Sequence, residues 1–147
     1  ALSSAASDVY KRQFLLFPVF CLAQNKNTIR AKVEKAFEIV GNNVNDWEEF
    51  PSPIHEISIS ERTISLIWNF PSYSGSLDLH SSIAPECKTT DEGIMMIYSE
   101  CKRIGKINDD IYYSALVTIE KNNQVVVMIF QSNSNTGTAY SGTAIKN

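Results

Sequence analysis

The segment VVVMIF, Val125 to Phe130, constrains the fold of this chain more than any other. Successive side chains of a strand point to opposite faces, so a run that is apolar at both parities needs cover on both sides. Here Val125, Val127 and Ile129 hold one parity, and Val126, Met128 and Phe130 hold the other. The run is also the return leg of a hairpin. Ile111, Tyr113, Ala115, Val117 and Ile119 alternate along the outgoing leg, and EKNNQ supplies the turn. This is a central strand, with a layer on each side of it.

Two segments offer such layers, because their apolar residues recur at helical spacing. In Thr28 to Val40 these are Ile29, Val33, Ala36, Phe37 and Val40, followed by Gly41, Asn42 and Asn43 as a stop. In the second segment Thr89 and Glu92 have capping-box spacing. Ile94, Ile97, Tyr98, Cys101 and Ile104 then form one stripe, and Gly105 closes it. Between the two lie strand patterns: Ile57 and Ile59, then Ile64, Leu66, Trp68 and Phe70, then Leu77 and Leu79 with Asp78 and His80 on the other face. PSYSGS, Pro71 to Ser76, reads as a turn cluster, and Thr136 to Ala144 as a last strand. The expected fold is α+β in the order α-β-β-β-α-β-β-β. Two main helices pack on a largely antiparallel sheet of about five to six strands. The element order is broadly similar to the Mog1/PsbP-like and NTF2-like α+β groups, as architecture and without a shared residue motif.

The N-terminal end reads differently. Ser3 to Gln13, SSAASDVYKRQ, can be back-translated into a string that resembles the read-1 adapter of transposase-based sequencing libraries. On that resemblance residues 1–13 are adapter-derived and stand outside the fold. FLLFPVFCLA, Phe14 to Ala23, has the length of a signal-peptide core and ends with small residues at the cleavage positions. It is too short for a bilayer span, which takes about 20 residues. The expectation is a truncated signal peptide over 14–23 and a single exported domain over 24–147, bacterial and periplasmic or secreted.

Charge narrows the partners. The chain carries a net −3, and the first 23 residues contribute Asp8, Lys11 and Arg12, so the domain itself is more acidic still. With no basic cluster, nucleic acid is not an expected partner, and no membrane span is expected in the mature chain. Cys87 and Cys101 form a candidate disulfide for an exported protein.

Catalytic chemistry has thin support. Of the chain's two histidines, His55 sits in a Pro-flanked loop beside Glu56. His80 shares a strand face with Asp78, a spacing that could orient a general base or begin a metal site. A protein metal site generally takes three or four ligands, and no third is identifiable, so no metal or cofactor is expected. A solvated strand face is the ordinary reading of the pair. No phosphate loop, dinucleotide fingerprint or zinc motif occurs. Aromatic residues point rather to binding: Trp47 in DWEEF, Tyr73 in the turn cluster, and Tyr112 on the polar parity of its strand. The expected function is non-catalytic binding of a protein or envelope component. The alternatives are a small NTF2-like enzyme around Asp78 and His80, or an inhibitor or immunity-type protein.

Overall fold

A computed structural model describes residues 28–41, 46–105 and 110–145. The expectations for residues 1–13 and 14–23 lie outside the described residues. The described chain is all β, with ten strands: β1 (Ile29–Val40), β2 (Trp47–Glu49), β3 (Glu56–Ile59), β4 (Thr63–Phe70), β5 (Tyr73–Ser81), β6 (Glu86–Thr89), β7 (Gly93–Arg103), β8 (Tyr113–Glu120), β9 (Gln124–Gln131) and β10 (Thr136–Ala144). It closes into an antiparallel barrel whose wall is eight strands around. The α+β expectation is therefore overturned: both segments read as helices are strands, β1 and β7, and the α+β architectures compared with them do not apply.

The topology reduces to a meander. β2 and β3 run one after the other along β1, with Ile39 opposite Trp47 and Lys32 opposite Glu56. β5 and β6 do the same along β7, with Ser81 opposite Cys101 and Glu86 opposite Ile97. Each of these two interrupted strands breaks at proline, Pro51 and Pro53 in one and Pro85 in the other. Proline cannot donate to a ladder, so pairing stops there. Counting each interrupted pair once, every strand bonds to its neighbour in sequence, and β10 returns to β1 from Ala31–Ala144 to Val40–Thr136. Complete closure leaves the main wall with no free edge.

Opposite each proline break the partner strand carries a bulge. In β1 the register shifts between Val33 and Lys35, and in β7 between Tyr98 and Cys101, where Glu100 takes φ 53°. A bulge inserts one extra residue, so the inward parity jumps by three instead of two. Inward positions thus run Ala31, Val33, Ala36 in β1 and Met96, Tyr98, Cys101 in β7, a spacing that imitates a helical face. The Thr89–Glu92 pattern is likewise a turn and not a cap: Thr90 N–H donates to the Gly93 carbonyl at 2.8 Å.

The interior is packed with side chains. Ile57, Ile59, Ile64, Leu66, Leu79, Met96, Tyr98, Val117, Val125 and Val127 are all buried in one cluster. Tyr98 reaches across it and donates its hydroxyl proton to the Ser60 carbonyl at 2.8 Å. The layer expected on each side of VVVMIF is found on one side only: one parity of β9 fills the barrel, and the other lies half-buried on its outside with no helix over it among the described residues. There Ile97, Leu116, Met128, Ala139 and Phe37 follow one another laterally across five strands. The far wall is polar outside, with Ser58 opposite Ser65 and Ser65 opposite Asp78.

Two consequences can be measured. Gly142 lies opposite Val33 at the β1 bulge, where an added Cβ would collide with the Lys32 carbonyl oxygen. Gly142→Ala is expected to cost about 2 kcal/mol or more in urea unfolding, far beyond the effect of a substitution at an open surface position. Burial holds the Tyr98 hydroxyl and the Cys101 thiol above their ordinary pKa values. Both groups are neutral when protonated, so the folded state retains their protons more tightly than the unfolded chain. That stability is complete below the unfolded pKa values, about 8.5 for Cys and 10 for Tyr, and is lost as pH climbs above them. Denaturation midpoints should therefore fall from about pH 8.5 upward, and Tyr98→Phe should flatten the upper part of that fall.

Candidate functional site

The β4–β5 hairpin projects past its neighbours. The β3–β4 ladder ends at Glu56–Ile67, and the β5–β7 ladder begins at Leu79–Arg103. Beyond those points β4 and β5 pair with each other, Trp68 opposite Gly75 and Phe70 opposite Tyr73. The cluster read as a turn is tighter than its composition implies, because Pro71 and Ser72 alone turn and Tyr73 is already strand.

Aromatic rings line the projecting end. Phe70 and Tyr73 lie 4.9 Å apart between centroids, and the His55 ring meets Phe70 edge-on at 5.0 Å. The indole of Trp68 lies over Gly75, where an added Cβ would sit 2.7 Å from its Cζ2. A side chain there would displace the ring, so glycine is what allows the indole to lie flat on the hairpin. The loop after β2 brings in His55. Its N–H donates to the Ile67 carbonyl at 2.9 Å, and its Nδ1 accepts the Asn69 N–H at 3.2 Å. An imidazole that accepts at Nδ1 carries its proton on Nε2, so the ring offers its partner a donor.

Beside this lip runs an open groove of about 690 Å³, lined by Lys32, His55, Glu56, Ile67, Trp68, Asn69, Ser74 and Ile145. Its volume falls in the range of small-ligand sites. Register explains the lining: Lys32 is opposite Glu56, Glu56 opposite Ile67, and Asn69 opposite Ser74. Arg30 holds the Glu56 carboxylate with two bonds, at 2.6 and 2.8 Å. This bidentate grip fixes the orientation of the carboxylate, and being exposed it adds little to stability. The groove thus offers an ammonium, a carboxylate, an amide, a hydroxyl and an imidazole around an indole and two isoleucines.

The residues singled out from sequence are distributed differently. Asp78 and His80 are on the outer face of β5, where His80 Nδ1 is 3.1 Å from Thr63 Oγ1 and Asp78 accepts the Ser76 hydroxyl at 3.3 Å. Neither lines the groove. Tyr73 stands at the lip, 58% exposed. Tyr112 lies elsewhere, under Lys102 Nζ at 4.6 Å from its ring centroid, and Lys102 is opposite His80 at the other end of β5. Trp47 pins β2 onto the outside of β1, its ring 4.9 Å from Phe37 and its Nε1 buried with no hydrogen-bond partner among the described residues.

Cys87 and Cys101 are both free thiols, one half-buried and one buried. Cys87 is opposite Met96, five positions before Cys101 in β7. At about 3.3 Å per residue, less the bulge, that separates them by roughly 13 Å, beyond the 7 Å a disulfide allows. Among the described residues no group of three or more His, Cys, Asp and Glu side chains could hold a metal ion, and no helix is long and apolar enough to cross a membrane.

Sequence reasoning had His55 and Tyr73 in view, and missed Lys32, Trp68, Asn69 and Ser74 as a set. The available signal was the Gly75 beside Tyr73, which marks a close approach within a strand pattern. No family model, curated protein or solved structure matches the chain. The groove is thus read from its own chemistry.

The Trp68–Gly75 contact has a spectroscopic signature. In a Trp47→Phe background Gly75→Ala should push the remaining indole toward water, with a red-shifted emission maximum and easier quenching by acrylamide.

Proposed function

We propose that this is a small exported bacterial domain that works by binding, and that the groove beside the β4–β5 lip receives a protein segment or an envelope component. The observation that carries the reading is the groove's composition: hydrogen-bonding groups of both polarities set round an indole, on a wall held rigid by a packed interior. Eight-stranded barrels either fill their interior with side chains or enclose one small ligand. Here bulky side chains occupy the interior, which directs recognition to the outside and the rim. Fixed polar groups around an apolar surface are the pattern of sites that orient a ligand. Export rests on the Phe14–Ala23 pattern, and the disposition of Asp78 and His80 on an open strand face favours binding over catalysis.

The test is an NMR titration of the 15N-labelled domain with soluble peptidoglycan fragments and, separately, with peptides of mixed polar and aromatic composition. The expected result is shifts concentrated at the Trp68 Nε1–H and at the amides of His55, Asn69 and Ser74. Asn69→Arg, which fills the groove from an exposed side chain, should weaken that binding by about tenfold or more. Shifts confined to the opposite wall, or binding that Asn69→Arg leaves unchanged, would remove the groove from consideration.

A further inference from the structure

The barrel wall has no free edge, yet its two interrupted strands and its projecting hairpin create short ones. Most are protected in the ways strand edges usually are. β2 is three residues long, carries Glu48 and Glu49, and runs into Pro51. β6 follows Pro85 and bears the Glu86–Lys88 ion pair at 3.1 Å. The outer edge of β4 is capped by His55, whose Nδ1 takes the Asn69 N–H.

The outer edge of β5 differs. Hydrogen-bonding direction alternates along a strand, and two bonds fix the phase here: Ser81 N–H donates toward β4 at the Arg62 carbonyl, and the Asp78 carbonyl accepts Ile104 N–H on the far side. The N–H and C=O of Ser74 and Ser76 therefore point away from β4. Among the described residues nothing pairs with them, and both are exposed. From Tyr73 to Leu77 this edge holds no charge and no proline.

We propose that the β5 edge pairs with the same edge of a second copy of this chain, antiparallel about a two-fold axis at Gly75. The edge is self-complementary. An axis at Gly75 sets Ser74 opposite Ser76 of the second copy, and these are the residues whose amides and carbonyls face outward, so four hydrogen bonds form. It also sets Tyr73 opposite Leu77 at a non-hydrogen-bonded pair, where side chains come closest and an aromatic–aliphatic contact is favourable. An isologous contact has this self-matching property, and no charge is buried by it. Ser74 also lines the groove and Ser76 does not, so protection at Ser76 separates this pairing from occupation of the groove.

The test is sedimentation velocity of the folded domain over a range from micromolar to millimolar, with amide hydrogen exchange at both ends of that range. A reversible dimer is expected, and with rising concentration the Ser74 and Ser76 amides should gain protection. The Gly75 amide, bonded toward Trp68, should be protected throughout. Ser76→Pro removes two of the four intermolecular donors and no bond to β4, so it should weaken the dimer at least tenfold or so while leaving the unfolding midpoint nearly unchanged. Tyr73→Ser, at an exposed side chain, should weaken it in the same direction. A monomer at every concentration would overturn the proposal, as would a dimer that persists in both variants or leaves Ser74 and Ser76 unprotected. If added peptides, but not a second copy, protected those two amides, the edge would belong to a foreign strand and the self-pairing would be wrong.

Discussion

Everything in this structure depends on the ladder between β1 and β10. With β2 and β3 counted as one strand, and β5 and β6 as another, the other pairings join strands that are neighbours in sequence, and any open meander could form them. The β1–β10 ladder turns a sheet into a barrel. It does so where the register shifts in β1 and a side chain at Gly142 could not be accommodated. Once it forms, Ala31, Ala36 and Tyr140 join the same buried cluster as Val117 and Val127 from the middle of the sheet. The closure gives the interior its two sides, and with them a reason for alternating side chains to be sorted into inside and outside.

The same closure explains the asymmetry of the surface. Strands that meet over the row from Ile97 to Phe37, half-buried except at the buried Ala139, carry apolar side chains outward, and strands β3 to β5 carry serine, aspartate and histidine outward. The polar wall supports the groove, and it is also where the hairpin outruns its neighbours. Ring contacts at the lip and hydrogen bonds from the loop before β3 replace the lateral ladders that this hairpin lacks. The candidate site is therefore a product of unequal strand lengths.

The sequence revealed the strands that keep strict alternation. Ile57 to Ile59, Ile64 to Phe70, the hairpin ending in VVVMIF, and the last strand at Thr136 to Ala144 lie where their patterns place them, except that the outgoing leg of the hairpin begins at Tyr113 and leaves Ile111 and Tyr112 outside it. It misdirected at β1 and β7, and the cause is the same in both. One extra residue in each strand changes a two-residue repeat into a step of three, and two such repeats on either side of a bulge are indistinguishable from one face of a helix. Val33 followed by Ala36, and Tyr98 followed by Cys101, are the steps concerned. Prolines in the facing strands were the available correction, since pairing breaks at Pro51, Pro53 and Pro85 opposite those bulges. For the site, Tyr73 and His55 drew notice as ring-bearing residues in turns. Lys32 and Asn69 are ordinary polar strand residues until the register brings them to one groove, which no local pattern encodes.

One consequence follows from the way the meander ends. Ile145 donates its N–H to the Arg30 carbonyl, so the first and last strands begin and finish side by side. Closing the barrel thus means bringing together chain segments separated by nearly the whole domain, after every shorter-range pairing is available. The entropic toll of that long loop falls on a single late event. Until it occurs, the open sheet exposes two long edges that match each other. At high concentration during folding, the first strand of one molecule can close onto the last strand of another, an exchange that links chains by their own native contacts.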